Sequence, residues 1–154
     1  MMRGPVARGA PPMSGGREMS RSTFASIAAL VSFVYAIPGL VATDAVASLY
    51  GVTLDRTATL LSQLLASSYL GYAIINWTTR FSTDPTVWRS LGIGNLVAWA
   101  ISGIISTLIA TSGLTNAMGW VGVGLSIVFT VGWGYFTFAV REAREAAAPV
   151  TAPR

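Results

Sequence analysis

Four apolar stretches, opening near Thr23, Thr57, Ser90 and Gly119, each run without a charged side chain for about the 20 residues a helix needs to cross a hydrocarbon core. Lipid offers the backbone no hydrogen-bond partner, so a spanning segment must satisfy its own N–H and C=O groups, as a helix does. The expected fold is therefore all-α: an integral membrane bundle of four transmembrane helices in up-down-up-down order. The spans are placed at about 23–43, 57–79, 90–110 and 119–140, within one transmembrane domain covering 22–140. Between the first two lies 44–56, apolar in part but punctuated by Gly51, Asp44 and Asp55, and read as an interfacial half-helix and turn.

The charges fit this division. Only 10% of the chain is charged, and the ten basic residues, all arginine, fall in the tails and the connections. Residues 1–21 combine Gly, Pro, Ser and Arg without apolar periodicity and read as a disordered tail. Residues 141–154 form a second tail, whose Arg-Glu-Ala start prolongs the last helix for about one or two turns before Pro149 stops it. Arginines near span ends count nine on the side of the two tails and the second connection, against Arg56 alone on the other. By the positive-inside rule both termini are expected in the cytoplasm. An arginine set without lysine and a chain rich in Ala and Gly suggest a bacterium with a GC-rich genome, and the inner membrane is the expected location. Trp77, Trp88 and Trp120 lie where interfacial anchors belong. Ala45-Val46-Ala47 has the small-x-small form of a signal cleavage site. The apolar run before it is longer than a signal core, and the segment is read as a retained span.

Several function classes lose their chemistry at this stage. The chain has neither His nor Cys, which removes the commonest general base and the usual metal, haem and thiol ligands. No metal site and no cofactor are expected. Nucleic acid needs a solvated basic surface with stacking aromatics, which short loops do not provide, so the net charge of +4 reads as topology. Ion-coupled transport calls for an ionisable group deep in the bilayer, and the spans carry none. Asp44 and Asp55 bracket the outer connection. A carboxylate just before a helix is ordinarily a cap, and Asp84 before Pro85 reads as a turn residue.

What remains are small and polar faces. On the third span Gly94, Ala98, Ser102 and Ser106 recur at four-residue steps, as do Gly122, Ser126, Thr130 and Gly134 on the fourth. Such ridges let helix backbones approach closely in lipid, within the bundle or against another subunit. On the second span Tyr69 and Asn76 share an inward arc, with Tyr72 beside it, and on the third Asn95 and Trp99 face back. Asn76 and Asn95 should lie at one depth and approach each other. They form either an interhelical amide bond or, with Tyr69, Tyr72 and Trp99, the polar wall of a small pocket. Gln63 reads as a polar contact between helices.

The run Leu49-Tyr50-Gly51-Val52-Thr53-Leu54-Asp55, followed by Tyr69-Leu70-Gly71-Tyr72-Ala73-Ile74-Ile75-Asn76-Trp77 and Arg80, resembles small four-span bacterial membrane proteins of the DoxX-like kind. The resemblance covers about a fifth of the chain. It implies a four-helix bundle with an interfacial element after the first helix and an association with redox or membrane-stress complexes. From the residues themselves, the leading expectation is a non-enzymatic accessory or assembly subunit, or a self-associating homo-oligomer, with the lipid bilayer as its surroundings. The alternative is a binder or facilitator of a lipid, isoprenoid or other neutral small molecule between the second and third spans.

Overall fold

The computed structural model describes residues 19–139. It builds α1 (Arg21–Val41), a short α2 (Thr43–Leu49), α3 (Arg56–Thr79), α4 (Pro85–Thr111) and α5 (Gly119–Gly134), closed by a π-helical turn at Tyr135–Ala139. No strand occurs among the described residues. Four helices, α1, α3, α4 and α5 with its π turn, are long and apolar enough to cross a membrane. Most of both tails, including the expected helical extension beyond Arg141, lies outside the described residues.

Side-chain oxygens open three of the long helices. Ser20 accepts from the Thr23 N–H, Asp55 from the Ala58 N–H at 2.7 Å, and Asp84 from the Thr86 N–H at 2.7 Å. Each takes up a donor that the first turn leaves without an intrahelical partner. The Asp84 cap corrects the turn reading: Pro85 sits in the first turn, where its missing N–H costs nothing, and α4 begins five residues before Ser90. Asp84→Ala is expected to destabilise the fold by about 1 kcal/mol, read as a lower unfolding midpoint in detergent.

At the other end of α1 the helix breaks shortly after Pro38. Ala42 leaves helical geometry at φ −140° and ψ 41°, and α2 starts in a new direction. The last carbonyls of α1 need partners: Thr43 Oγ1 donates to Gly39 O at 2.6 Å, and Gln63 Nε2 of α3 donates to Leu40 O at 3.2 Å. Gln63 therefore serves as the expected interhelical polar contact. On the same end, the connection between α4 and α5 clasps α2. Asn116 donates its backbone N–H to Tyr50 O and its side-chain amide to Leu49 O, both at 2.9 Å. Gly51 turns there at φ 74°, with the Asn116 side chain against it.

Two helix pairs, α1 with α3 and α4 with α5, make the closest packing. Both are antiparallel, and both meet along small residues. On α1 the inward positions Ala25, Ala29, Ser32 and Ala36 are buried, and Gly39 continues their row; α3 contributes Ala66, Ala73 and Asn76. The approach is tightest at Gly39, where a Cβ would lie 2.8 Å from the Ala66 Cβ. In the second pair, Gly92 meets Thr137, Leu96 meets Gly134, Gly103 meets Ser126 and Ser106 meets Gly122. Both seams advance by alternating four and three residues. That step averages 3.5, close to the 3.6 of the helix, so the stripe stays on one face.

The two pairs are held against each other by aromatic side chains. Phe24 of α1 contacts Phe129, Trp133 and Phe136 at ring separations of 5.8, 5.1 and 5.1 Å. Trp99 stacks on Phe129 at 4.6 Å, and Tyr69 bridges from Trp99 to Tyr35. Large rings fill the middle of the bundle, and small residues form the two pair interfaces.

Candidate functional site

Two of the buried polar side chains form an amide pair. Asn76 and Asn95 are 1% and 3% exposed, and each donates its Nδ2 to the other's Oδ1 at 3.1 Å. Asn95 also donates to the Leu91 carbonyl one turn earlier in α4, at 2.9 Å. The expected approach of the two side chains is therefore a closed, reciprocal hydrogen-bonded ring that ties α3 to α4. Tyr69, Tyr72, Ala98, Trp99, Ser102 and Ser32 surround a cleft of only about 20 Å³. That is room for one water, not for an isoprenoid.

The small-residue ridges divide. Ser106, Gly122, Ser126 and Gly134 face the α4–α5 seam, whereas Gly94 is exposed and a Cβ there would meet nothing within 4 Å. Ala98 and Ser102 line the small cleft, and Thr130 is half-buried. The reason is geometric. Four residues turn a helix by about 400°, so a strict four-residue row drifts around the cylinder by about 40° per step. The α4 seam instead takes Gly92, Leu96, Trp99, Gly103 and Ser106, a pattern in which a large aromatic masks the small-residue signal.

Larger spaces open sideways where the two pairs meet. Between α3 and α4 a groove of about 490 Å³ is lined by Tyr72, Ile75, Ser90, Leu91, Gly94 and Asn95, ending at Thr79 and Asp84. Gly71 on α3 is as open as Gly94, with nothing within 4 Å of an added Cβ. Between α1 and α5 a second groove of about 1160 Å³ runs from Ile127 and Val128 to Arg21 and Arg80. Both grooves reach the end of the bundle that holds the α3–α4 connection. There Arg80 lies over the Trp77 ring at 3.7 Å and the Phe81 ring at 4.5 Å and donates to the Trp77 carbonyl. Trp88 fixes the same connection by donating its indole N–H to Ser82 O at 2.6 Å.

At the opposite end, the Thr59 hydroxyl donates to the backbone carbonyl of Asp55 at 2.9 Å and lies 3.4 Å from Asp44 Oδ1. Asp55 keeps its cap. Sequence reasoning used Arg80 only for topology and the motif, and assigned no contact to it, Phe24, Gly39 or Asn116. The Arg80-Phe81 pair after Trp77 was a legible aromatic cage; the other three owe their roles to long-range contacts.

Taken together, the chain is a multi-pass membrane protein of the all-α bundle class, with four helices of membrane-spanning length and composition. No family model, curated protein or solved structure matches it.

Proposed function

We propose that the protein is a non-enzymatic accessory or assembly subunit whose docking face is the outer side of α3 and α4. One observation carries this reading: the bundle's own small-residue seams are occupied internally, while Gly94 leaves open backbone in the wall of the 490 Å³ groove. The occupant is a transmembrane helix of another subunit, since helices associate in lipid by backbone approach at small residues. The bacterial inner membrane, cytoplasmic termini and DoxX-like kinship belong to the same proposal, supported by the arginine distribution and the Leu49–Trp77 motifs.

Native mass spectrometry of the protein released gently from its own membrane tests the proposal. A defined heteromeric mass is expected, lost in Gly94→Leu with helix content unchanged because the new side chain enters open space. A bare protein, or a complex indifferent to Gly94→Leu, counts against this face.

A second reading, a neutral lipid or isoprenoid bound between α3 and α4, draws support from the same groove. In that case a stoichiometric small molecule, rather than a subunit, leaves with Gly94→Leu.

A further inference from the structure

The groove between α1 and α5 differs in kind from the one between α3 and α4. Its floor is apolar, with Ile127, Val128, Val131 and Gly132 on α5 facing Phe24 on α1. From Val128 to Tyr135 the helix rises by about 10 Å, which sets the length of the floor along the bundle. Gly132 lets the Phe24 ring seat directly against the α5 backbone, where a Cβ would meet it. The mouth is polar: Ser20, Ser22, Ser82 and Thr83 lie at its rim, and among the described residues the charged side chains that line it are Arg21 and Arg80.

Arg80 is held for this task in a definite way. Its guanidinium is stacked on Trp77 and Phe81 and spends one donor on the Trp77 carbonyl. A guanidinium has five donors in a fixed planar fork, suited to the oxygens of a phosphate. The α3–α4 connection that carries it is pinned by Trp88. A cation set at the rim of a lateral apolar trough, at membrane-interface depth, is the arrangement that basic pockets between spans use for acidic headgroups.

We propose that this groove binds one acidic phospholipid, its phosphate against Arg80 and an acyl chain along Ile127, Val128 and Val131. The inference does not rest on the docking face assigned to α3 and α4, which lies on another side of the bundle.

The test uses the full chain in nanodiscs holding equal amounts of phosphatidylglycerol and phosphatidylcholine with identical chains, followed by native mass spectrometry of the lipids retained on release. Retention of phosphatidylglycerol over phosphatidylcholine by roughly fivefold is expected, the size of one arginine–headgroup contact at a membrane surface. Arg80→Gln should bring the two lipids to parity. Val128→Trp, at a position 61% exposed, should fill the trough and lower retention of both. Circular dichroism of each variant shows whether the bundle persists; should Arg80→Gln unfold, Val128→Trp and the wild-type preference decide the matter. Equal retention in the wild type, an undiminished preference in folded Arg80→Gln, or unchanged retention in Val128→Trp overturns the proposal.

Discussion

Gly39→Ala is expected to destabilise the bundle by about 2 kcal/mol, within the usual range for overpacking a close contact, while Gly94→Ala stabilises it by up to about 1 kcal/mol. The same methyl group is added to a helix in both cases, and helix propensity favours it in both. The sign is set by what the methyl meets. At Gly39 it meets the Ala66 Cβ at 2.8 Å, a side chain with no rotamer to change, so α1 and α3 must separate. At Gly94, and likewise at Gly71, it meets nothing within 4 Å. Gly132→Ala should fall beside Gly39→Ala, because its methyl lands on the Phe24 ring, which Phe129, Trp133 and Phe136 hold in place. Gly92→Ala should be milder, since the Thr137 hydroxyl it strikes can rotate. Reversible unfolding of the four variants in mixed micelles gives the order directly. A destabilised Gly94→Ala, or a neutral Gly39→Ala, is incompatible with this packing.

Asn76→Leu is expected to cost about 2 kcal/mol, and the double change Asn76→Leu with Asn95→Leu to cost less than either alone. A single change leaves a buried amide without its partner, which carries a penalty of about 1–3 kcal/mol. Removing both leaves two apolar side chains in apolar surroundings. The loss is moderated because an unfolded chain in the membrane also finds polar partners, which holds interhelical hydrogen bonds to about 0.6–2 kcal/mol. Asn95→Leu should be the worse single change, as it also removes the bond to the Leu91 carbonyl. A double-mutant cycle with the same unfolding assay measures the coupling. Additive losses would mean that the two amides act separately, contrary to their reciprocal bonds at 3.1 Å.

The contrast between the two experiments follows the line between what was legible in the sequence and what was not. The four spans were legible because lipid imposes a length and a composition on any segment that crosses it, whatever its neighbours. The meeting of Asn76 and Asn95 was legible for a related reason. Antiparallel helices joined by a short connection place residues equidistant from that connection at one depth. The start of α4 at Pro85 was also written locally, in Asp84 and Pro85, and became clear once the cap was seen as a cap.

The roles of the glycines were not. Gly39, Gly92, Gly94 and Gly132 are one residue type within apolar helices, and periodicity alone did not tell which of them meets a neighbour within the bundle and which, like Gly94, meets none. Which face of a helix is covered depends on how far the next axis lies and on which rings hold the pairs apart. Those are distances between segments remote in sequence. The sequence by itself determined an all-α, four-span protein whose spans carry no charged side chain, because solvation acts on each segment separately. Only the tertiary structure decided that small residues join α1 to α3 and α4 to α5. It alone decided that the Phe24 cluster spaces the pairs, and that the two grooves open sideways with Arg80 at the mouth of the larger. The physical reason is that in lipid, where apolar burial drives little, helix association is governed by contact geometry.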